Sequence, residues 1–138
     1  VISLILIALA AACNALIDTL AHHFDQSIFS KLNYLFWNPH HSWRNKYIDG
    51  QVKNGHRMIW IFKYPAALTD AWHLFKSIML ALLIAAVVCY DPLVSPLMIK
   101  AVRVNVDWTP FLIRFADFVG FGIVWILVFN ECYNKLFT

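Results

Sequence analysis

Three stretches of the chain are apolar over a length comparable to the thickness of a bilayer, and most of the charge lies between them. The first, from about Val1 to Leu20, is almost entirely Leu, Ile and Ala until Asn14 and Asp18. At 1.5 Å per residue, roughly 20 helical residues cross a hydrocarbon layer about 30 Å thick. The second follows Pro65, which a first helical turn tolerates, and Ala66 to Tyr90 then contains neither proline nor glycine. A helix over 66–90 is expected, wholly apolar from Ile78 to Cys89. The third has Asp107 or Thr109 as a cap, Pro110 at its opening and an apolar run from Phe111 to Phe129, which predicts a helix over 110–131.

The connections have different patterns. Between His22 and Trp37, the residues Phe24, Ile28, Phe29, Leu32, Leu35 and Phe36 form an apolar stripe at helical spacing. About 14 residues carrying Asp25 and Lys31 are too few and too polar to cross, so an amphipathic helix over 24–37 lying in the interface is expected. From Asn38 to Tyr64 the chain is polar and basic, and Asp49-Gly50 and Asn54-Gly55 favour a tight hairpin there. Met58 to Phe62 is an apolar pentapeptide, too short to span. Asp91-Pro92 and Ser95-Pro96 break the chain after the second span, and 93–106 reads as an external loop against the membrane. The expected fold is one all-α integral membrane domain over 1–138, with three transmembrane helices, an interfacial helix and a polar connection over 38–64.

Composition supports this pattern. The chain is 61% hydrophobic and 14% charged, whereas soluble domains are about 45–50% apolar and about 25% charged. Val1 to Ile17 is expected to be retained as a span rather than removed as a leader: no basic stretch precedes it, and Leu9 lies one position too early for a lipoprotein signal ending at Cys13. The net charge of +3 comes from single cations scattered among aromatic residues, which does not suggest nucleic acid. Six Lys and Arg (Lys31, Arg44, Lys46, Lys53, Arg57, Lys63) lie between the first two spans, and two (Lys100, Arg103) lie between the second and third. By the positive-inside rule the first connection is cytoplasmic, with the N-terminus outside and the C-terminus inside. The expected location is a bacterial inner membrane. Cys13, Cys89 and Cys132 show no CxxC spacing and read as small packing residues.

This threading brings the polar ends of the three helices to one level. Asp18 and His22 are four apart and Asp70 and His73 three apart, intervals that place side chains on one helix face. Helical bundles build metal sites from such pairs, and zinc takes about four nitrogen, oxygen or sulfur ligands. The expected ligands of a divalent metal, zinc foremost, are therefore Asp18, His22, Asp70, His73 and His56, with His40 and His41 nearby. Metal-bound water would supply hydroxide near neutral pH, with Asp70 or Glu131 moving protons. Arg44, Lys46 and Arg57 would hold an anionic headgroup. No HExxH or HxxHH box is present.

The expected function is thus a metal-dependent hydrolase acting on a lipid or lipid-linked substrate at the cytoplasmic interface, with membrane lipids as its partners. The competing reading is a non-enzymatic subunit that forms homo-oligomers, scaffolds a partner or conducts an ion. Ala116 and Gly120 form a small-residue face suited to helix contact, opposite Ala8, Ala12 and Ala15. Arg114 and Asp117, three apart in the third span, are expected to neutralise each other.

Overall fold

The computed structural model describes residues 1–59, 61–90 and 109–137. The expected loop over 93–106 and the cap Asp107 lie outside the described residues. Five α-helices are described: α1 (Ile2–His22), α2 (Tyr34–Trp37), α3 (Pro39–Ser42), α4 (Ala71–Val88) and α5 (Thr109–Glu131). A π-helical turn, Cys132–Leu136, follows α5. Among the described residues, α1, α4 and the segment Phe111–Leu136 are long and apolar enough to cross a membrane.

The central helix is α1, since 39% of its apolar window is buried against 11% for each of the other two. It packs along both α4 and α5. Ala10, Ala11 and Ala15 are fully buried; lipid tails are as apolar as leucine, so close approach of small residues rather than water exclusion holds such helices together. The outward faces of α4 and α5 expose Ile84, Val87, Phe118 and Leu127, a surface suited to lipid. Within the chain, Gly120 is not at a close helix contact, because a Cβ built on it meets no atom of the described residues within 4 Å.

At the end where α1 finishes and α4 begins, Leu16, Leu20, Phe24, Phe29 and Ala71 form a core, flanked by Phe36, Trp37, Phe75 and Phe137. Phe29 and Trp37 stack with centroids 5.0 Å apart. This core breaks up the continuous helix expected over 24–37. The segment instead makes 3-10 turns at Phe24–Gln26 and Ile28–Lys31 before α2. Ser27 Oγ and Ser30 Oγ donate to the carbonyls three residues back, each at 2.7 Å, and Asn33 accepts from Leu35 N at 3.0 Å. These side chains compete with the helical ladder, while Phe24 and Phe29 turn inward rather than along one surface.

The turn signals in the connection are realised. Asp49, Gly50 and Gly55 all have positive φ, conformations that Gly adopts freely and Asp tolerates. Tyr47 pairs with His56 across this turn. Beyond it, β1 (Met58–Ile59) and β2 (Phe62–Lys63) form a short antiparallel ladder with Met58 opposite Lys63 and Ile59 opposite Phe62. The second spanning helix starts later than its proline suggests. After a 3-10 turn at Ala66–Leu68, Asp70 is extended and α4 begins at Ala71.

Candidate active site at the start of the second spanning helix

Asp70 is the N-cap of α4. Its Oδ1 accepts from the His73 backbone N–H at 2.9 Å, which satisfies one of the donors that every helix start leaves unpaired. Thr69 Oγ1 donates to Asp70 Oδ2 at 2.9 Å. The capping geometry also places the His73 ring against the same carboxylate, with Nδ1 2.9 Å from Oδ1 and 2.8 Å from Oδ2. A carboxylate only accepts, so Nδ1 carries the proton and Nε2 of the neutral ring is left as an acceptor. The Asp70 side chain is 3% exposed and that of His73 is 35% exposed. The orienting group is thus buried while the oriented one reaches solvent.

His73 opens on a cleft of about 250 Å³ lined by Ala21, Pro39, His40, Ser42, Trp43 and Trp72 as well as the Asp70–His73 pair. The far wall is α3 and the turn after it. Asn38 caps α3 by accepting from His40 N at 2.9 Å, and Trp43 Nε1 donates to the His40 carbonyl at 3.0 Å. Asn45 ties this wall to the start of α4: its Nδ2 donates to Leu35 O at 2.6 Å and to Thr69 O at 2.8 Å. Both tryptophans of the cleft carry a cation over the ring. Arg44 lies 5.4 Å from the Trp43 centroid and Lys76 lies 4.4 Å from that of Trp72, distances at which the ring quadrupole attracts a cation.

A second, more polar cleft of about 120 Å³ adjoins the first across Ala21 and His40, and His22, His23, Asp25 and Gln26 line it. His22 therefore neighbours the site, but through His40. Among the described residues, Asp18 and His22 share no hydrogen bond or ion pair. The His56 ring lies tilted against Tyr47 with centroids 4.7 Å apart. Glu131 pairs with Lys135 at 2.8 Å, with both side chains exposed. Lys46 lies over Tyr47 at 5.4 Å. Arg57 Nε donates to Tyr47 O at 3.2 Å and lines a separate groove with Asn45 and Tyr64. Of the three cations expected at a headgroup, Arg44 is the one adjoining the cleft, through Trp43.

Lys76 and Ser42 were not among the site residues expected from the sequence. The four-residue interval from Trp72 to Lys76 on α4 is the signal for Lys76. Ser42 lies twenty-eight positions from Asp70 in sequence, roughly the span of a whole connection, so no local pattern could join them.

Among the described residues, no group of three or more His, Cys, Asp or Glu is placed to hold a metal. Both Asp70 oxygens are engaged by Thr69 and His73, which occupies the carboxylate with partners from its own chain. What the arrangement supplies is an oriented imidazole with a buried carboxylate behind it. No family model, curated protein or solved structure matches the chain, so the site is interpreted from its own geometry.

Proposed function

We propose that this chain is a membrane-embedded hydrolase of a lipid or lipid-linked substrate, with His73 as general base and Asp70 as the residue that positions it. The observation that supports this is the double contact of His73 Nδ1 with the buried Asp70 carboxylate beside an open cleft. In the reaction, a water in the cleft gives a proton to His73 Nε2 while its oxygen adds to the substrate carbonyl or phosphoryl centre. The imidazolium then returns that proton to the leaving group as the scissile bond breaks. Asp70 favours the Nδ1–H tautomer and stabilises the transient imidazolium. Ser42 shares the cleft but makes no hydrogen bond to His73 among the described residues, so water is the nucleophile this geometry supplies.

Trp43 and Trp72 flank the cleft, as indoles do at the level of lipid headgroups, and Arg44 and Lys76 stand behind them to meet an anionic group. The charge of the basic connection supports a cytoplasmic setting for this end, by the positive-inside rule. A divalent metal would find His73 Nε2 as one ligand with Asp70 behind it, and the remaining donors would have to come from substrate and water. The acid–base reading therefore expects turnover to survive chelation.

The test is hydrolysis of phosphatidylglycerol carrying a fluorogenic acyl ester by the full chain in nanodiscs. Turnover in the wild type that falls about 100-fold or more in His73→Gln and survives chelator supports the proposal. Loss of turnover on chelation with full recovery on zinc would transfer the chemistry to a metal. Absence of turnover on ester, amide and phosphodiester lipids alike would favour the non-enzymatic subunit.

A further inference from the structure

The hairpin of β1 and β2 is independent of the cleft and has no counterpart in the proposed chemistry. Met58 and Ile59 are 53% and 48% exposed, and Ile61 and Phe62 are each 65% exposed. Four large apolar side chains stand in the open on a ladder of two residues per strand. They belong to neither the core nor a spanning helix, so lipid around the bundle does not account for them. The register places cations at the base of the same hairpin: Lys63 lies opposite Met58, and Tyr64 N donates to Arg57 O at 2.8 Å, which sets Arg57 level with Tyr64. Arg57 and Lys63 are both exposed. Among the described residues Arg57 gives its Nε to Tyr47 O, and its terminal N–H groups make no contact that would compete with a lipid phosphate.

We infer that this hairpin dips into the anionic surface of the membrane that the helices span, with Ile59, Ile61 and Phe62 in the acyl boundary and Arg57 and Lys63 against lipid phosphates. Two arguments identify the occupant. Dimension is the first: one residue per strand, Ile59 and Phe62, lies about 3.3 Å beyond the Met58–Lys63 pair. With Lys63 at the phosphates, their side chains extend into the acyl boundary, within the shallow depth at which interfacial segments bury apolar groups. Charge complementarity is the second: between Ser27 and Thr69 the chain carries six Lys and Arg against the single acid Asp49, and each cation near an anionic leaflet contributes about 1 kcal/mol of attraction. The hairpin then anchors the long connection at a second point and holds the wall of the cleft at headgroup depth.

The experiment places an environment-sensitive fluorescent amino acid at Ile61 by codon suppression, in the full chain in nanodiscs. The same residue at exposed Lys53 serves as the aqueous control. With phosphatidylglycerol present, the fluorophore at 61 is expected to emit to the blue of that at 53. It should be quenched by lipids carrying a nitroxide near the headgroup and resist aqueous iodide. The pair Arg57→Glu and Lys63→Glu, or nanodiscs of phosphatidylcholine alone, should weaken this protection about fivefold or more for each cation lost. The inference is overturned if the fluorophore at 61 is quenched by iodide as readily as that at 53 in both lipids. It is equally overturned if protection is independent of lipid charge, or appears only in native membrane vesicles, where a partner protein would be the cover. None of these readouts depends on turnover, so failure here leaves the dyad proposal standing.

Discussion

Two aspartates are each 2% exposed, one toward each end of the bundle, and they are used differently. Asp70 lies where α4 begins, and the atoms around it belong to its own neighbours in sequence: Thr69, the His73 backbone and the His73 ring. Asp117 lies in α5 and accepts from the Tyr90 hydroxyl at 2.9 Å across 27 residues of chain. Near it, Ser3 Oγ donates to Cys89 O at 2.8 Å, joining the start of α1 to the end of α4. The groove beside Tyr90 is apolar, lined by Ile7, Leu83, Ala86, Val87 and Phe121. A buried carboxylate must be satisfied wherever it lies. At Asp117 a phenol from another element does so, and the result is a tie between helices. At Asp70 the partner is an imidazole whose second nitrogen opens on a cleft, and a cap becomes the back of a proton-transfer pair.

If that contrast is right, substitutions at the two ends should separate turnover from stability. The largest effect is expected for His73→Gln, and for Asp70→Asn, where an amide in place of the carboxylate lets the imidazole take the other tautomer. Turnover should fall about 10²–10⁴-fold in each. Asp70→Asn should preserve the fold, because asparagine caps a helix about as well as aspartate. Next is Leu20→Ala in the core, which should cost about 2–5 kcal/mol in reversible unfolding. Asn45→Ala removes two hydrogen bonds to backbone carbonyls that hold the cleft wall, at about 1 kcal/mol each. It should lower turnover as well as stability. Tyr90→Phe, at the other end, should cost about 1–3 kcal/mol by withdrawing a donor from a buried carboxylate, with turnover unchanged. A large loss of turnover in Tyr90→Phe would mean that the two ends are coupled and the comparison fails.

The same contrast shows what the sequence could convey. The three apolar stretches follow from composition and length, and the three long helices lie over them, with α1 running on to His22, α4 starting only at Ala71 and α5 starting at Thr109. Asp70 with His73 was legible because a helix converts a three-residue interval into a shared face. The partnership of Tyr90 with Asp117 was not, since nothing local relates residues on different elements. Spacing pointed to Arg114 instead, which forms no ion pair with Asp117 among the described residues, whereas the Tyr90 hydroxyl donates to that carboxylate. The segment over 24–37 failed for a related reason. Its apolar positions match a helical stripe, but Phe24 and Phe29 are drawn into a core made with Leu16, Leu20 and Ala71, and serines at the breaks bond to their own backbone. The cleft wall was the hardest to foresee. Pro39, Ser42 and Trp43 line one cleft with His73, and Asn45, bridging Leu35 and Thr69, ties that wall to the start of α4, a contact with no sequence signature.

The smallest expected effect tests the limit of reasoning from helix ends alone. Glu131 ends α5 at the level where antiparallel threading gathers polar residues, which made it a candidate proton carrier. In the structure it makes an i,i+4 pair with Lys135, with 60% and 69% of the two side chains exposed. Exposed pairs of this kind contribute about 0–1 kcal/mol and are screened by salt. Glu131 does not line the cleft with His73. Glu131→Gln should therefore leave turnover within about twofold of wild type and stability within about 0.5 kcal/mol. A loss of turnover beyond about tenfold, with stability unchanged, would place Glu131 on the proton path. The relevant geometry would then be one in which the end of α5 moves toward His73 when substrate binds.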